Sequence, residues 1–404
     1  MAGLRGNSLF KLADRLAGVP LVLALGAASR LGNLLAGAPA RPPAPGDRVL
    51  VVKLSALGDT LLLLPVLKAL KARVGPAGRV VMVATPVNEA ALRGCPWVDD
   101  LEVLPLKGLA RDPLSLARFA LLLRRRRCRV ALDFDQWLRL SPLLCFLAGC
   151  ASRFGFRAEG QHRHALYSAW IRNRRGGHEF EQFAALAGLA GIPREQVESW
   201  PGFLETHGLF RGAAAIRPRR RGPLVLIHPG CGSHGWQREW PAERWAELAG
   251  RLGREAGARF VVTGMGAHEE ALAARVAAQP GLDVDNRAGK DGQAGLEGLA
   301  SLLRRADLVA CGNTGVMHLA VGLGRPLLAL HGPTDPVKWG PLGWTPALSP
   351  RGGGSCRVLR ANLPCSPCLN LGFEYGCAGR ACMEAVGVDS ALRACLELLG
   401  KARP

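Results

Sequence analysis

Tyrosine and acidic residues are scarce in this chain. Only two of its 404 residues are Tyr, and 32 Asp and Glu face 52 Lys and Arg, a formal net charge of +20. Such a surplus attracts polyanions: nucleic acid, an anionic membrane, or a phosphorylated substrate. With 6 % aromatic residues, no zinc-finger spacing and no aromatic-basic platform to stack or read bases, nucleic acid is the least supported of the three. A bilayer-spanning segment is also missing, because the apolar stretch near the N-terminus falls short of the ~20 residues a span requires. Disorder is excluded, since 49 % of the chain is hydrophobic and 21 % is charged. The length predicts two domains.

What is present is rhythm. From Arg48 onward, short β-branched runs alternate with longer helical patterns. Strands are expected at Val49–Val52, Arg79–Ala84, Leu101–Leu104 and Arg129–Asp133, with helices at Leu61–Arg73, Asn88–Arg93 and Leu114–Arg126. Arg217-Pro-Arg-Arg-Arg221 then reads as an interdomain linker, and the rhythm restarts. The second set has strands at Leu224–His228, Arg259–Thr263, Asp307–Ala310 and Pro326–Leu330, and helices at Ala242–Glu255, His268–Ala278, Leu296–Arg305 and Val316–Gly322. The alternation predicts an α/β protein of two Rossmann-like, doubly wound parallel-sheet domains facing a cleft, residues 46–215 and 216–404.

In such sheets ligands bind at the carboxyl ends of strands, so the loops there are the candidate sites. Leu54-Ser-Ala-Leu-Gly-Asp59 follows the first strand. Asp59 either does chemistry there or caps the next helix. In the second half, His228-Pro-Gly-Cys-Gly-Ser233 carries close glycines whose amides suit an oxyanion, with Arg238 beyond them to neutralise a phosphate. Thr263-Gly-Met-Gly-Ala-His-Glu269 places a carboxylate after a Gly-rich turn, suited to ribose hydroxyls. Gly312-Asn-Thr-Gly-Val-Met-His318 opens a helix with the amides and hydroxyl that bind diphosphates, and brings in Asn313, Thr314, Gly315 and His318. His331-Gly-Pro-Thr-Asp-Pro336 reads as a rigid loop. In the first half, Asp133, Arg139 and Arg153 are the candidate contacts to a phosphorylated acceptor. No Asp-x-Asp pair suited to Mg²⁺ is read in the second half.

Residues 1–45 stand apart. Ser8 is placed to cap a helix carrying Leu9, Phe10, Leu12, Ala13 and Leu16, which runs into Gly18-Val-Pro-Leu-Val-Leu-Ala-Leu-Gly26. Asp14 sits where a signal peptide would be basic. The preferred reading is an amphipathic segment lying in the membrane face, flanked by Lys11, Arg15 and Arg30, with Arg41-Pro-Pro-Ala-Pro-Gly46 as a stiff tether. A helix docked on the protein's own surface is the alternative.

Lys53-Leu-Ser-Ala-Leu-Gly-Asp59, His228-Pro-Gly230 with Arg238-Glu-Trp-Pro241, Gly312-Asn-Thr-Gly-Val-Met-His-Leu-Ala320 and Gly332-Pro-Thr-Asp335 together resemble glycosyltransferase family 9 in order and spacing, from about Arg48 to Pro341. That family comprises the lipopolysaccharide heptosyltransferases and their relatives. The resemblance implies a GT-B fold and an inverting transfer from ADP-heptose, or another nucleotide sugar, onto a lipopolysaccharide core acceptor; with the N-terminal segment, the expected place is the cytoplasmic face of the inner membrane. It implies that Asp59 is the catalytic base, that Arg238 replaces a Lys that contacts the diphosphate, that Glu269 holds the ribose, and that Thr314 and Gly315 bind phosphate. Asn313 departs from it, standing where many members carry an Asp beside the donor sugar. A relative serving a surface polysaccharide and a non-catalytic nucleotide-sugar-binding membrane protein are the alternatives.

Twelve cysteines are present, six of them after Ser355. Cys365, Cys368, Cys377 and Cys382 form a candidate set for a structural zinc or iron–sulfur centre. No cofactor is required for the expected reaction if basic residues and a helix dipole meet the leaving group's charge.

Overall fold

The computed structural model describes residues 12, 14–36, 40–105, 112–174, 176–212, 222–232, 235–290, 295–346, 355–369 and 377–400. The chain divides into two compact units, Ala2–Glu198 and Ser199–Pro404.

The first unit contains α1 (Gly18–Ala36), β1 (Arg48–Val52), α2 (Leu57–Val74), β2 (Arg79–Ala84), β3 (Asp100–Val103), α3 (Pro113–Arg125), β4 (Val130–Asp133), α4 (Leu140–Leu147), β5 (Ser152–Arg157), β6 (Ala169–Arg172) and α5 (Glu179–Leu189). Its six strands are parallel in the order β3-β2-β1-β4-β5-β6. Val49–Val52 are fully buried, as expected of a central parallel strand covered on both faces. The order reverses between β1 and β4, so the topological switch point lies at the ends of those two strands. Helix α2 starts at Leu57, earlier than its apolar pattern suggests, and its N-cap is Ala56. Asp59 therefore lies within the first turn and is not the cap.

The second unit contains α6 (Phe203–Thr206), β7 (Leu224–His228), α7 (Ala242–Ala256), β8 (Arg259–Val262), α8 (Ala267–Ala277), β9 (Val284–Asn286), α9 (Gly295–Arg305), β10 (Leu308–Gly312), α10 (Gly315–Gly322), β11 (Leu327–His331), α11 (Pro336–Trp339), β12 (Thr345–Pro346), β13 (Cys356–Arg360), α12 (Ala381–Glu384) and α13 (Val388–Leu398). Seven parallel strands run in the order β12-β13-β11-β10-β7-β8-β9, which puts the switch point between β7 and β10.

Three sequence expectations are corrected. Asn88–Arg93 forms only a short 3-10 turn, Glu89–Ala91. The division falls at Ser199 and not at residue 216. Trp200 is buried against Gly322, its Nε1 donates to the His318 carbonyl (3.0 Å), and Gly202 N donates to the Val321 carbonyl (3.0 Å). These contacts bind the segment to α10. Finally, the described part of the N-terminal segment does not stand off on a tether. Val22 is buried with Leu143, Ala165 and Leu166, Arg139 Nη1 pairs with Asp14 Oδ2 (2.7 Å), and Arg153 Nη2 donates to Ser29 Oγ (2.7 Å). The Pro-rich stretch is held too, since Arg73 Nε donates to the Pro43 carbonyl (2.7 Å) and Arg41 N to Ser152 Oγ (3.0 Å). Ser8, Leu9, Phe10, Lys11 and Ala13 lie outside the described residues, as does the side chain of Arg30. Among the described residues no helix is long and apolar enough to cross a membrane.

Docking of α1 depends on Gly26, where a Cβ would lie 2.8 Å from the Ala165 carbonyl oxygen. Overpacking of this kind costs about 1–3 kcal/mol. Gly26→Val is expected to loosen α1, seen as faster limited proteolysis before residue 40 with the remainder of the chain protected. Unchanged cleavage would show that the helix is not held at this contact.

Candidate functional site

In the first unit the switch point is built around a buried cation. Lys53, the residue after β1, is fully enclosed, with its Nζ 3.3 Å from Asp59 Oδ2 and 5.3 Å from the centre of the Phe183 ring on α5. A lysine is rarely this buried without a partner, and Asp59 is that partner. The first turn of α2 adds the positive end of the helix dipole. The loop between the two residues is fixed by its neighbours. Asn88 Nδ2 donates to the Lys53 carbonyl and to Thr60 Oγ1 (both 2.8 Å), Thr85 Oγ1 donates to the Leu54 carbonyl (2.9 Å), and Leu54 N donates to Asp135 Oδ2 (3.3 Å). The loops after β1, β2 and β4 are thus tied together under one carboxylate, which keeps a small exposed edge. An ionised carboxylate at a strand end can take a proton from a bound hydroxyl.

The three acceptor candidates are placed differently from the sequence expectation. Asp133 is fully buried. It receives Arg163 Nη2 (2.8 Å) and the Tyr167 hydroxyl, and its Oδ1 accepts from Asp135 N (3.0 Å). Burial pushes its carboxyl up, against the opposing pull of Arg163. Arg139 is spent on Asp14 and on the Gln161 carbonyl (3.1 Å). Arg153 is spent on the carbonyls of Leu166 (2.6 Å) and Cys150 (2.5 Å) and on Ser29. All three brace the unit's interior or hold α1. Their partners lie up to 125 residues away in the chain, beyond the reach of local pattern.

In the second unit, the loops after β7, β8 and β10 converge. Glu269, on α8, accepts from Gly232 N through Oε1 and from Met265 N through Oε2 (both 2.8 Å), joining the two Gly-rich loops. A Cβ at Gly230 would lie 2.5 Å from the Glu269 side chain, so only glycine permits the approach. Each carboxylate oxygen keeps a further lone pair for a ligand hydroxyl. His228 Nδ1 meets Thr263 Oγ1 at 3.0 Å, and burial lowers the His228 pKa, keeping the ring neutral. Arg238, in the 3-10 turn Trp236–Arg238, spans the switch point: Nη1 donates to the Asn313 carbonyl (2.9 Å) and Nη2 to the Cys231 carbonyl (2.8 Å), while Nε has no partner. Asn313 Nδ2 donates to the Trp339 carbonyl (2.8 Å), a bond that a carboxylate could not make. Thr314 is the N-cap of α10 but makes no side-chain capping bond, so the first amides of the helix are available to an anion. His318 is buried in that helix. Ser233 lies outside the described residues.

These two switch-point loop clusters sit in a chain that a model of "Glycosyltransferase family 9 (heptosyltransferase)" matches over residues 116–370. The chain belongs to glycosyltransferase family 9. It is 27 % identical over 324 residues to lipopolysaccharide heptosyltransferase 2 of Salmonella typhimurium, covering 78 % of this chain and 88 % of that one. Its fold is similar to a family 9 glycosyltransferase from Veillonella parvula (TM-score 0.68, 20 % identity, 90 % of this chain and 100 % of that one). It is also similar to an E. coli heptosyltransferase solved with ADP-2-deoxy-2-fluoro heptose (TM-score 0.63, 22 % identity, 87 % and 99 %). The fold is GT-B, and the protein is a heptosyltransferase-like glycosyltransferase.

Two further expectations bear on metals. An Asp-x-Asp does occur in the second half of this family member, Asp283-Val-Asp285, but Asp285 is engaged by Arg287 (2.9 Å). Of the four candidate cysteine ligands, Cys382 is buried beside Gly332, Cys368 is half-buried, and Cys365 and Cys377 are exposed. Among the described residues no group of three or more His, Cys, Asp or Glu could hold a metal ion.

Lys53 and His331 went unassigned at the sequence level. The signal for Lys53 is its place at the end of an otherwise apolar buried run. His331 closes β11, fully buried, with Nδ1 3.2 Å from Thr334 Oγ1 and no partner at Nε2. Burial foremost, and the charges of Arg238 and Arg360, push its pKa from 6.5 to about 4. The unfolded chain takes up this proton below pH 6.5 and the native protein only near 4, so the stability contribution is full above 6.5 and is lost as pH falls. Within that window the loss is about 1.4 kcal/mol per pH unit. Denaturant melts of His331→Gln between these pH values are expected to show a shallower acid loss than the parent. Parallel pH curves would remove His331 as a contributor.

Proposed function

We propose that this protein transfers a sugar, with inversion, from an ADP-activated heptose to a lipopolysaccharide core acceptor, working peripherally at the inner face of the inner membrane. The observation that carries the reading is Asp59, an ion-paired carboxylate held at the β1/β4 switch point of a family 9 fold. Inversion requires a single in-line displacement at the anomeric carbon. The acceptor hydroxyl attacks opposite the leaving nucleoside diphosphate, and Asp59 receives its proton late, when the attacking oxygen has become acidic. That timing suits a carboxylate stabilised by Lys53 and a helix start, which is a weak base. The second unit holds the donor. Glu269 binds the ribose, and Arg238 with the α10 amides meets the diphosphate's growing charge without calling on a metal. The ADP-heptose analogue held by the E. coli relative supports the donor assignment.

A second donor is favoured by one contact. Asn313 places an amide and not a carboxylate at this helix start, with its Nδ2 donating to the Trp339 carbonyl and its Oδ1 3.4 Å from Arg238 Nη1. A nucleotide sugar other than ADP-heptose, serving a surface polysaccharide, fits that neutral amide. Thermal shift ranks the candidates, since a ligand at 100 times its Kd stabilises by ~2.7 kcal/mol. ADP sugars are expected to give the largest shift, and a larger one with UDP or GDP sugars would select the second reading.

Asp59→Asn is expected to keep donor affinity while turnover falls by ~10² or more. Unchanged turnover would reduce Asp59 to a partner for Lys53. Arg238→Ala should weaken nucleoside diphosphate by about ten- to a hundredfold, the worth of a charge-assisted contact, and bare nucleoside much less. Calorimetry separates the two ligands. Equal losses would mean that the Arg238 bridge between the Cys231 and Asn313 carbonyls is its whole role.

A further inference from the structure

Residues Gly18 to Ser29 of α1 include no charged side chain. At 100° per residue, Val22, Gly26 and Ser29 share the face that docks on the first unit, Pro20, Ala24 and Ala27 lie opposite them, and Leu21 and Leu23 flank that outer face on either side, all five exposed. Leu21 and Leu23 are 46 % and 45 % exposed, and Leu16, one turn earlier, is 66 % exposed. A helix that is apolar on every side is normally buried on every side. Among the described residues this face is open to solvent.

The surroundings say what fits it. The turn on which α1 rests, Arg163–Leu166, carries His164, whose ring lies edge-on to Trp170 (5.5 Å). Trp170, half exposed on the edge strand β6, is covered by the guanidinium of Arg157 (5.0 Å), and Arg172 follows it, exposed. Leu147, also exposed, ends α4 beside Phe146, which packs against the same cluster as Val22. Arg15 is exposed just ahead of α1. Apolar side chains rimmed by arginine and an exposed tryptophan match the interface of an anionic bilayer. A second copy of this chain, with its own +20 charge, would set arginine against arginine.

We propose that the outer face of docked α1, with Leu147 and the Trp170–Arg157 edge, is a membrane-contact surface for anionic phospholipid, built rigidly into the first unit. Its geometry has a consequence for the reaction. Gly18 packs on Arg139, in the same strand-end loop as Asp135, which holds the Leu54 amide of the Asp59 loop. The lipid surface therefore begins beside the catalytic edge of this unit, where a lipid-linked acceptor would be presented. This consequence rests on the proposed acceptor, whereas membrane contact itself does not.

The test uses the full chain and vesicles of phosphatidylethanolamine with phosphatidylglycerol, read by flotation without any sugar present. Leu21→Ser with Leu23→Ser is expected to lower partitioning by about tenfold for each leucine, with thermal melting unchanged and both proteins sedimenting alike in the absence of vesicles. Equal flotation of parent and variant, or failure of the parent to float, would overturn the proposal. So would a parent that self-associates through this face and a variant that does not. Failure of the glycosyltransfer reading would leave flotation intact, so the two are distinguishable.

Discussion

A buried ammonium must have a counter-charge, and Lys53 finds its own in Asp59, 3.3 Å away. Breaking a buried pair by removing one member typically costs 3–5 kcal/mol, so the two residues constrain each other's positions, and the four-residue connection between β1 and α2, Lys53 to Ala56, has little freedom left. The Lys53 carbonyl accepts from Asn88, and Leu54 bonds to both Thr85 and Asp135. The second unit meets the same problem in another way. There the cation is Arg238, and it reaches backbone carbonyls on the two sides of the switch point instead of a carboxylate. In both units a positive side chain lies among the loops at the place where strand order reverses.

The parts of the fold that were legible in the sequence are those whose pattern is local. The runs Arg79–Ala84 and Leu224–His228 are apolar and β-branched, and they are strands with those bounds. β5 was not legible, because Ser-Arg-Phe-Gly-Phe-Arg is not an apolar run, and only the fold supplies the carbonyls among which Arg153 is buried. β13, Cys356–Arg360, was concealed by a cysteine-rich context that suggested metal chemistry. The Gly-rich loops of the second unit were legible because glycine spacing reports backbone geometry directly. The acceptor residues were not, because an arginine's partner is a property of the fold. Asp14, 125 residues before Arg139, cannot be inferred from the loop that Arg139 occupies.

Two departures from expectation change the functional picture. Asn313 is held by a backbone carbonyl that its amide nitrogen satisfies, so the substitution of amide for acid at this point is matched by a local hydrogen bond. The N-terminal segment, expected as a tethered anchor, is instead mortised into the first unit by Asp14, Val22, Gly26 and Ser29. An anchor held off on a stiff tether would not itself be part of the unit that carries Asp59. Under the proposed membrane contact, a docked helix would instead set one orientation for the unit that carries Asp59.

The central claim is an inverting transfer by a family 9 enzyme whose base is Asp59. The most direct measurement incubates the protein with ADP-activated heptose and a lipopolysaccharide core oligosaccharide, then determines the anomeric configuration of the product by NMR. The account predicts a new glycosidic bond of configuration opposite to that of the donor, formed by the parent and nearly absent with Asp59→Asn. A product that retains the donor's configuration would contradict it.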